Sequence, residues 1–248
     1  MNRSSSDSAR AIGVLLHPSS LPHGPFFGSF GSSARDWIKT LAANGIGVWQ
    51  FLPLSPSDGT GSPYSSPSSF ALNPFFLDVQ DLVSEGFLQL SKSDELVGAN
   101  EIYSSSVSFR RADQRSQLLG KLLREEWKNQ DITRHRNFTI WCDQQFWLED
   151  HVSFIELRRQ YQNLPWWQWP KSFASHNLFS LLLWKRDNQE KLLEHRLIQW
   201  HLDRQWRSVR KLARELGVLL FGDLPFYVSR DSADVCSSRS LFSILPGG

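Results

Sequence analysis

Gly47-Val-Trp-Gln-Phe-Leu52 is an apolar run with the length and composition of a strand that is buried on both faces. A similar run, Ile12-Gly-Val-Leu-Leu16, lies upstream, and the segment between them repeats apolar residues at helical spacing. Ser33, with Asp36 three residues later, has the pattern of a capping box, and Gly45 is a natural C-terminal stop. Strand, helix and strand at this spacing predict a βαβ unit with parallel strands.

A helix followed by a strand is also predicted near the end of the chain. From about Leu197 to Leu216 the apolar residues alternate steps of three and four, which predicts an amphipathic helix ended by Gly217. Val218-Leu-Leu-Phe221 then reads as a third buried strand. The sequence therefore predicts an α/β fold.

Residues 90–195 differ in character from the flanking parts. Glycine is nearly absent there, and leucine, tryptophan and charged residues recur at steps of three and four, which predicts a mostly helical insertion. Pro170 disfavours a helical conformation at Trp169, so Leu164–Pro170 is expected to form a turn. We expect four segments: a mobile tail at 1–10, the first βαβ part and a substrate loop at 11–89, the helical insertion subdomain at 90–195, and a helix with the third strand at 196–248.

Composition excludes several classes of protein. A net charge of +2 gives no support for nucleic-acid binding, and no apolar run approaches the roughly 20 residues needed to cross a membrane. The two cysteines provide no metal-ligand spacing and no disulfide framework, which favours a reducing, cytoplasmic compartment. The eleven tryptophans are more typical of a core than of a sugar-lining surface, although either use is compatible with the ring.

Two loop motifs are candidates for chemistry. Asp223 directly follows the third strand, and the C-terminal ends of parallel strands carry the ligand sites of α/β folds. Ser62 and Tyr64 lie in the long Pro- and Ser-rich loop after the second strand, where the flat ring and hydroxyl of a tyrosine suit a sugar. The alternatives are a turn aspartate that binds nearby amides and a plain structural loop.

Other polar loop residues are weaker candidates. His17 follows the first strand, and Asp58, Asp231 and Asp234 are further loop carboxylates. Glycoside chemistry needs two carboxyl groups about 5–9 Å apart, and the sequence does not show which two could pair. Motifs for nucleotide phosphates, zinc peptidases and serine hydrolases are missing from the sequence.

Four stretches together carry a more specific signal than any of these residues alone. They are Arg10-Ala-Ile-Gly-Val-Leu-Leu-His-Pro-Ser-Ser-Leu-Pro22; Trp49-Gln-Phe-Leu-Pro-Leu54 with Ser62-Pro-Tyr64 and Phe70-Ala-Leu-Asn-Pro74; Phe146-Trp-Leu-Glu-Asp150 with Leu164-Pro-Trp166 and Trp169-Pro170; and Gln205-Trp206 through Gly222-Asp-Leu-Pro225 to Asp231-Ser-Ala-Asp-Val235. In order and spacing, from residue 10 to about 242, the chain resembles glycoside hydrolase family 77, the amylomaltases or 4-α-glucanotransferases.

The resemblance implies an incomplete TIM (β/α)8 barrel, containing about the first three strands, with a large helical insertion. It also implies cofactor-free transfer of α-1,4-glucan segments between maltodextrins by a retaining double displacement, with an Asp nucleophile and a Glu acid/base. By position, Ser62, Tyr64 and Asp223 match family residues that contact the donor glucan. The expected partners are therefore α-1,4-glucan oligosaccharides, with neither nucleic acid nor membrane among them.

The chain also departs from the family pattern. The family's nucleophile and acid/base lie beyond the third strand, so no catalytic residue is expected within residues 1–248. Cys236 stands where family members commonly have tryptophan, and Ser243 to Gly248 no longer follow the family. These departures predict a truncated, inactive form. The alternatives are an enzyme completed by a second chain that carries the rest of the barrel, a non-catalytic glucan-binding protein, and a hydrolase of the same superfamily.

Overall fold

The computed structural model describes residues 12–22, 26–58, 60–89, 91, 96 and 107–244. The predicted tail at 1–10 and the start of the predicted insertion lie outside these ranges. The strands and α-helices run in the order β1 Gly13–Leu15, α1 Ser32–Ala43, β2 Val48–Gln50, α2 Val79–Ser84, α3 Phe109–Trp127, α4 Ile132–Asp143, α5 Leu148–Gln160, α6 Lys171–Ala174, α7 Leu178–Asp187, α8 Gln189–Glu215, β3 Leu219–Phe221 and α9 Ala233–Ser237.

The three strands form one parallel sheet in the order β1-β2-β3, which confirms the predicted parallel pairing. Val14, Trp49 and Leu220 share one face, against which helices α1 and α8 pack. Trp49 is fully buried there, and its Nε1 donates a hydrogen bond of 2.7 Å to the Leu16 carbonyl. The opposite face carries Leu15, Leu219 and Phe221, whose side chains are exposed. The sheet is therefore packed on its helix side and open on the other.

Helix α1 begins one residue earlier than predicted, and its predicted cap is wrong. The N-cap is Gly31, and Ser33 makes no capping hydrogen bond there. The Asp78 side chain lies against Gly31, so close that a Cβ on this glycine would lie 2.1 Å from Asp78 Oδ2. A residue 47 positions away therefore occupies the start of the helix, which local sequence spacing cannot reveal. Gly45 does follow the C-terminus, with φ +69°.

Helix α8 begins eight residues before the predicted start. Its buried face includes polar residues, among them Glu194, Gln199, His201 and Gln205, which interrupt the apolar pattern. The two glutamines are satisfied by distant backbone, because Gln199 exchanges hydrogen bonds with Leu72 N and O, and Gln205 does so with Asp78 N and O. The long helix thus holds the connection between β2 and α2 against the sheet.

The tryptophans belong to the core, as the sequence favours. Seven are buried and the other four are partly buried against the same apolar cluster. Trp169 has an extended conformation after a short 3-10 turn at Trp166–Gln168, which confirms the predicted turn before Pro170. The basic residues of α8 from Arg207 to Arg214 are exposed and form a solvated helix face.

Candidate glucan-binding site

Tyr64 and Asp223 lie 159 residues apart in the chain and meet at one edge of the sheet. Tyr64 Oη donates a hydrogen bond of 2.7 Å to Asp223 Oδ2. Asp223 comes two residues after β3, and Tyr64 belongs to the loop that follows β2. This contact confirms that the two residues lie on the same face of the partial barrel, as the parallel order of the strands requires.

Both side chains of this pair are accessible to a ligand. Asp223 is exposed, and nearly half of the Tyr64 surface is open to solvent. The hydrogen bond to Asp223 raises the pKa of the Tyr64 phenol, since it stabilises the protonated form. The hydroxyl therefore remains a donor to Asp223 throughout the neutral pH range.

Ser62 belongs to the same turn as Tyr64. Its Oγ accepts a hydrogen bond of 3.3 Å from Tyr64 N, and its own N donates one of 3.4 Å to Thr60 Oγ1. Ser62 thus shapes the backbone that presents the tyrosine. The roles of Ser62, Tyr64 and Asp223 in binding substrate remain predictions.

The two loops that carry the pair are joined at a second place. Ala233 N donates to the Pro67 carbonyl at 2.9 Å, and Ser69 N donates to Asp234 Oδ2 at 2.9 Å. Asp234, one of the candidate carboxylates, therefore serves to hold the loop after β3 to the loop after β2. Relative movement of Tyr64 and Asp223 is restricted as a result.

The other two candidate carboxylates also hold structure. Asp231 accepts a hydrogen bond of 3.2 Å from Trp166 N and pairs with Arg158 at 3.2 Å. Burial raises its pKa, although Arg158 opposes this shift. Asp58 accepts hydrogen bonds from Thr60 N at 2.8 Å and from Thr60 Oγ1 at 2.5 Å. These contacts favour the structural interpretation of both aspartates.

His17 also has a structural environment. Its ring packs edge-on against Phe76 with a centroid distance of 5.6 Å, and burial lowers its pKa to about 4. A neutral imidazole packed on an aromatic ring is typical of a core histidine.

Two residues of the helical insertion face the site loop, and sequence reasoning missed both. The Phe109 ring at the start of α3 packs against Gly61, and Arg158 on α5 lies near enough to Asp58 to lower its pKa. A cavity of about 540 Å³ separates the loop from the insertion and is lined by both residues together with Asp58, His151 and Gln199. In the sequence, nothing distinguished either residue from an ordinary helix residue.

No cluster of metal-ligating residues occurs in the part of the chain that the structure describes. The described helices also include none with the length and apolar character of a membrane span.

Residues 16–246 match the family model described as 4-alpha-glucanotransferase. The chain belongs to this family. It is 32% identical over 241 residues to the 4-alpha-glucanotransferase of Synechocystis sp., covering 96% of this chain and 47% of that protein. It is 33% identical over 237 residues to the 4-alpha-glucanotransferase of Thermus thermophilus, covering 95% of this chain and 46% of that protein. The 4-α-glucanotransferases are transferases. This chain spans about half the length of the curated relatives it matches.

The solved structures agree with the family assignment at the level of the fold. The amylomaltase from Streptococcus agalactiae in complex with acarbose superposes with a TM-score of 0.88 at 24% identity, over 96% of this chain and 48% of that one. The amylomaltase from Corynebacterium glutamicum gives a TM-score of 0.68 at 16% identity, over 92% and 32% of the two chains. The predicted fold class, a partial α/β barrel with a large helical insertion, is confirmed.

Proposed function

We propose that this chain binds α-1,4-glucan at Tyr64 and Asp223 and forms the donor-side part of a 4-α-glucanotransferase. The observation that carries the proposal is the 2.7 Å hydrogen bond between Tyr64 Oη and Asp223 Oδ2, which joins two loops at the C-terminal ends of adjacent parallel strands. The family membership of the chain supports the same substrate class, α-1,4-linked glucose chains.

The chemistry of the pair suits a sugar ring. An exposed tyrosine offers a flat face for stacking, and a carboxylate has about four lone-pair sites, of which Tyr64 uses one. Asp223 can therefore accept further hydrogen bonds from sugar hydroxyls while Tyr64 holds it in place. Ser62, in the same turn, is proposed as a third contact.

The proposed reaction is transfer of an α-1,4-glucan segment through a covalent glucosyl intermediate that an acceptor sugar resolves. That reaction needs a nucleophile and an acid/base at about 5–5.5 Å separation. Since Asp58, Asp231 and Asp234 hold loop structure, we propose that both catalytic carboxylates lie outside these 248 residues. A longer polypeptide or a second chain carrying the rest of the barrel would supply them. Cytoplasmic localisation is also proposed, supported by the free thiols of Cys142 and Cys236.

Calorimetric titration of the 248-residue chain with maltoheptaose tests the binding proposal. Tyr64→Phe and Asp223→Asn should each weaken binding about tenfold, the order expected when one hydrogen bond that involves a charged group is lost. Tyr161→Phe is the matched control, because Tyr161 packs near Trp169 in the insertion and should leave the affinity unchanged. Equal binding of a β-1,4-linked glucan, or equal affinities of all three variants and the parent chain, would contradict the proposal.

The second candidate is a glucan-binding protein without catalysis. It is favoured by the observation that Asp58, Asp231 and Asp234 hold loop structure. Incubation with maltotriose separates the two candidates. We expect the 248-residue chain to bind but to release no glucose and to form no longer maltodextrins. If addition of a polypeptide that carries the remainder of the barrel produces turnover, the transferase is supported; binding that stays without turnover supports the second candidate.

A further inference from the structure

The loop that presents Tyr64 closes on a single residue, Asp58. Asp58 N donates to the Ser65 carbonyl at 3.0 Å, and Gly61 N donates to the Asp58 carbonyl at 3.0 Å, so two backbone hydrogen bonds of Asp58 join it to residues on either side of the tyrosine. Ser62-Pro63-Tyr64 lies between these two residues. The conformation of this segment therefore depends on the contacts made by Asp58.

Asp58 binds the chain on both sides of the segment. On the N-terminal side, Oδ1 accepts from Thr60 N at 2.8 Å and from Thr60 Oγ1 at 2.5 Å. On the C-terminal side, the contact is made by the backbone, because Asp58 N donates to the Ser65 carbonyl at 3.0 Å. Asp58 therefore contacts both ends of the presented segment, through its carboxylate at Thr60 and through its backbone N–H at Ser65.

A chain of hydrogen bonds continues from Asp58 toward the tyrosine. Thr60 Oγ1, which donates to Asp58, accepts from Ser62 N at 3.4 Å, and Ser62 Oγ accepts from Tyr64 N at 3.3 Å. The last hydrogen bond of this chain is the one from Tyr64 Oη to Asp223 Oδ2. Displacement of Thr60 or Ser65 would thus move the tyrosine hydroxyl relative to Asp223.

The electrostatic environment favours an ionised carboxylate at this position. Burial opposes ionisation, but the hydrogen bonds from Thr60, the polar Ser65 side chain and the charge of Arg158 outweigh it and lower the pKa of Asp58. Arg158 also pairs with Asp231 at 3.2 Å, so one cation of helix α5 faces carboxylates from both site loops.

We propose that Asp58 is a positioning residue for the glucan site: by binding Thr60 through its carboxylate it sets the Tyr64 hydroxyl against Asp223. The inference rests on the proposed function, because it takes the Tyr64–Asp223 pair as the glucan contact. Asp58 itself touches no substrate in this scheme.

The test compares Asp58→Asn, which keeps a carbonyl acceptor for Thr60, with Asp58→Ala, which keeps none. The readout is the phenol pKa of Tyr64, followed by tyrosine ring NMR and assigned with Tyr64→Phe among the four tyrosines of the chain. In Asp58→Ala this pKa should fall toward the unperturbed value of about 10, because the phenol no longer reaches Asp223. In Asp58→Asn it should stay raised. Asp131→Ala, which removes a comparable cap from helix α4, should leave it raised as well.

Glucan affinity provides the second readout. Asp58→Ala should weaken maltoheptaose binding about as much as Tyr64→Phe, and the double variant should bind no more weakly than either alone, since the two changes remove one interaction. A purely structural role would lower the urea midpoint of Asp58→Ala but leave the Tyr64 phenol unshifted, and that result would overturn the inference. If the parent chain fails to bind maltoheptaose, the proposed function falls, while the phenol titration still decides whether Asp58 sets the Tyr64–Asp223 contact.

Discussion

At the scale of single residues, Gly61 joins the site loop to the helical insertion. Its φ is +77°, and a Cβ at this position would lie 2.7 Å from Phe109 Cζ. Gly45 has a similar φ of +69°, but a Cβ there would meet nothing within 4 Å. Substitution of Gly45 therefore tests backbone strain alone, whereas substitution of Gly61 tests strain together with the contact to the insertion.

We predict that Gly61→Ala weakens maltoheptaose binding several-fold, whereas Gly45→Ala does not. Each alanine should cost about 1–2 kcal/mol of unfolding free energy for the left-handed backbone, but only the first should displace the loop from Phe109. Urea unfolding and calorimetric titration measure the two effects. Rescue of binding by Phe109→Ala in the Gly61→Ala background is expected; undiminished binding by Gly61→Ala alone would mean that the Phe109 contact does not position the loop.

Buried histidines predict how stability depends on pH. Burial lowers the pKa of His151 to about 3 and that of His17 to about 4. A lowered folded-state pKa means that the unfolded chain binds the proton more readily, so stability should fall as pH falls from about 6.5 toward these values. Each histidine should cost about 2 kcal/mol at pH 5, a pH at which carboxyl groups contribute little.

We expect His151→Phe to have a shallower fall in unfolding free energy between pH 7 and pH 5 than the parent chain. The substitution keeps a ring of similar size at a buried position beside Trp147 and removes the titrating group. Urea unfolding at several pH values measures the slope. Parallel slopes for the two proteins would show that His151 does not take up a proton on unfolding in this range.

At the scale of elements, Arg158 connects helix α5 of the insertion to the loop after β3. It pairs with Asp231 at 3.2 Å, with both side chains four-fifths buried, while Trp166 Nε1 donates to the Arg230 carbonyl at 2.8 Å nearby. Removing the cation would leave the Asp231 carboxylate without its counter-charge in a partly buried place.

Arg158→Met should therefore lower the unfolding free energy by about 1–3 kcal/mol. Lys39→Met removes a cation of the exposed Asp36 pair, whose two side chains are 61% and 68% accessible, and should change stability by less than about 0.5 kcal/mol. Adding Asp231→Asn to Arg158→Met should recover part of the lost unfolding free energy, as measured by urea unfolding. Equal, small effects of the two methionine variants would show that Arg158 contributes no more than a surface charge.

At the scale of the whole molecule, the open face of the sheet governs solution behaviour. Leu15, Leu219 and Phe221 are 55%, 68% and 59% exposed, and β1 and β3 each have an edge that pairs with no other described strand. Apolar faces and open strand edges favour association between chains. The helices, in contrast, surround a continuous apolar cluster.

We predict that the 248-residue chain has helical circular dichroism, binds a hydrophobic dye strongly and self-associates. Leu219→Thr with Phe221→Thr should reduce both dye binding and association, whereas Leu178→Thr with Phe179→Thr, a pair on helix α7 that is at least as exposed, should reduce them less. Dye fluorescence and sedimentation velocity provide the measurements. A monomer that ignores the dye would show that the sheet face is covered in solution.

Much of this architecture was predictable from local sequence. The three strands fall within the predicted apolar runs, at Gly13–Leu15, Val48–Gln50 and Leu219–Phe221. Their parallel pairing follows from the helices between them. The meeting of Tyr64 and Asp223 follows in turn, because the C-terminal ends of parallel strands share one edge of the sheet.

Other features depended on contacts between distant segments. Three contacts join parts of the chain that are far apart in sequence. They are Asp78 beside Gly31, Phe109 against Gly61 and Arg158 with Asp231. The sequence by itself determined which segments are strands and helices and which loops share an edge, because hydrophobic periodicity and chain connectivity are local properties. Only the tertiary structure decided which carboxylates hold loops and which one pairs with Tyr64, because that depends on the partners that folding brings to each charge.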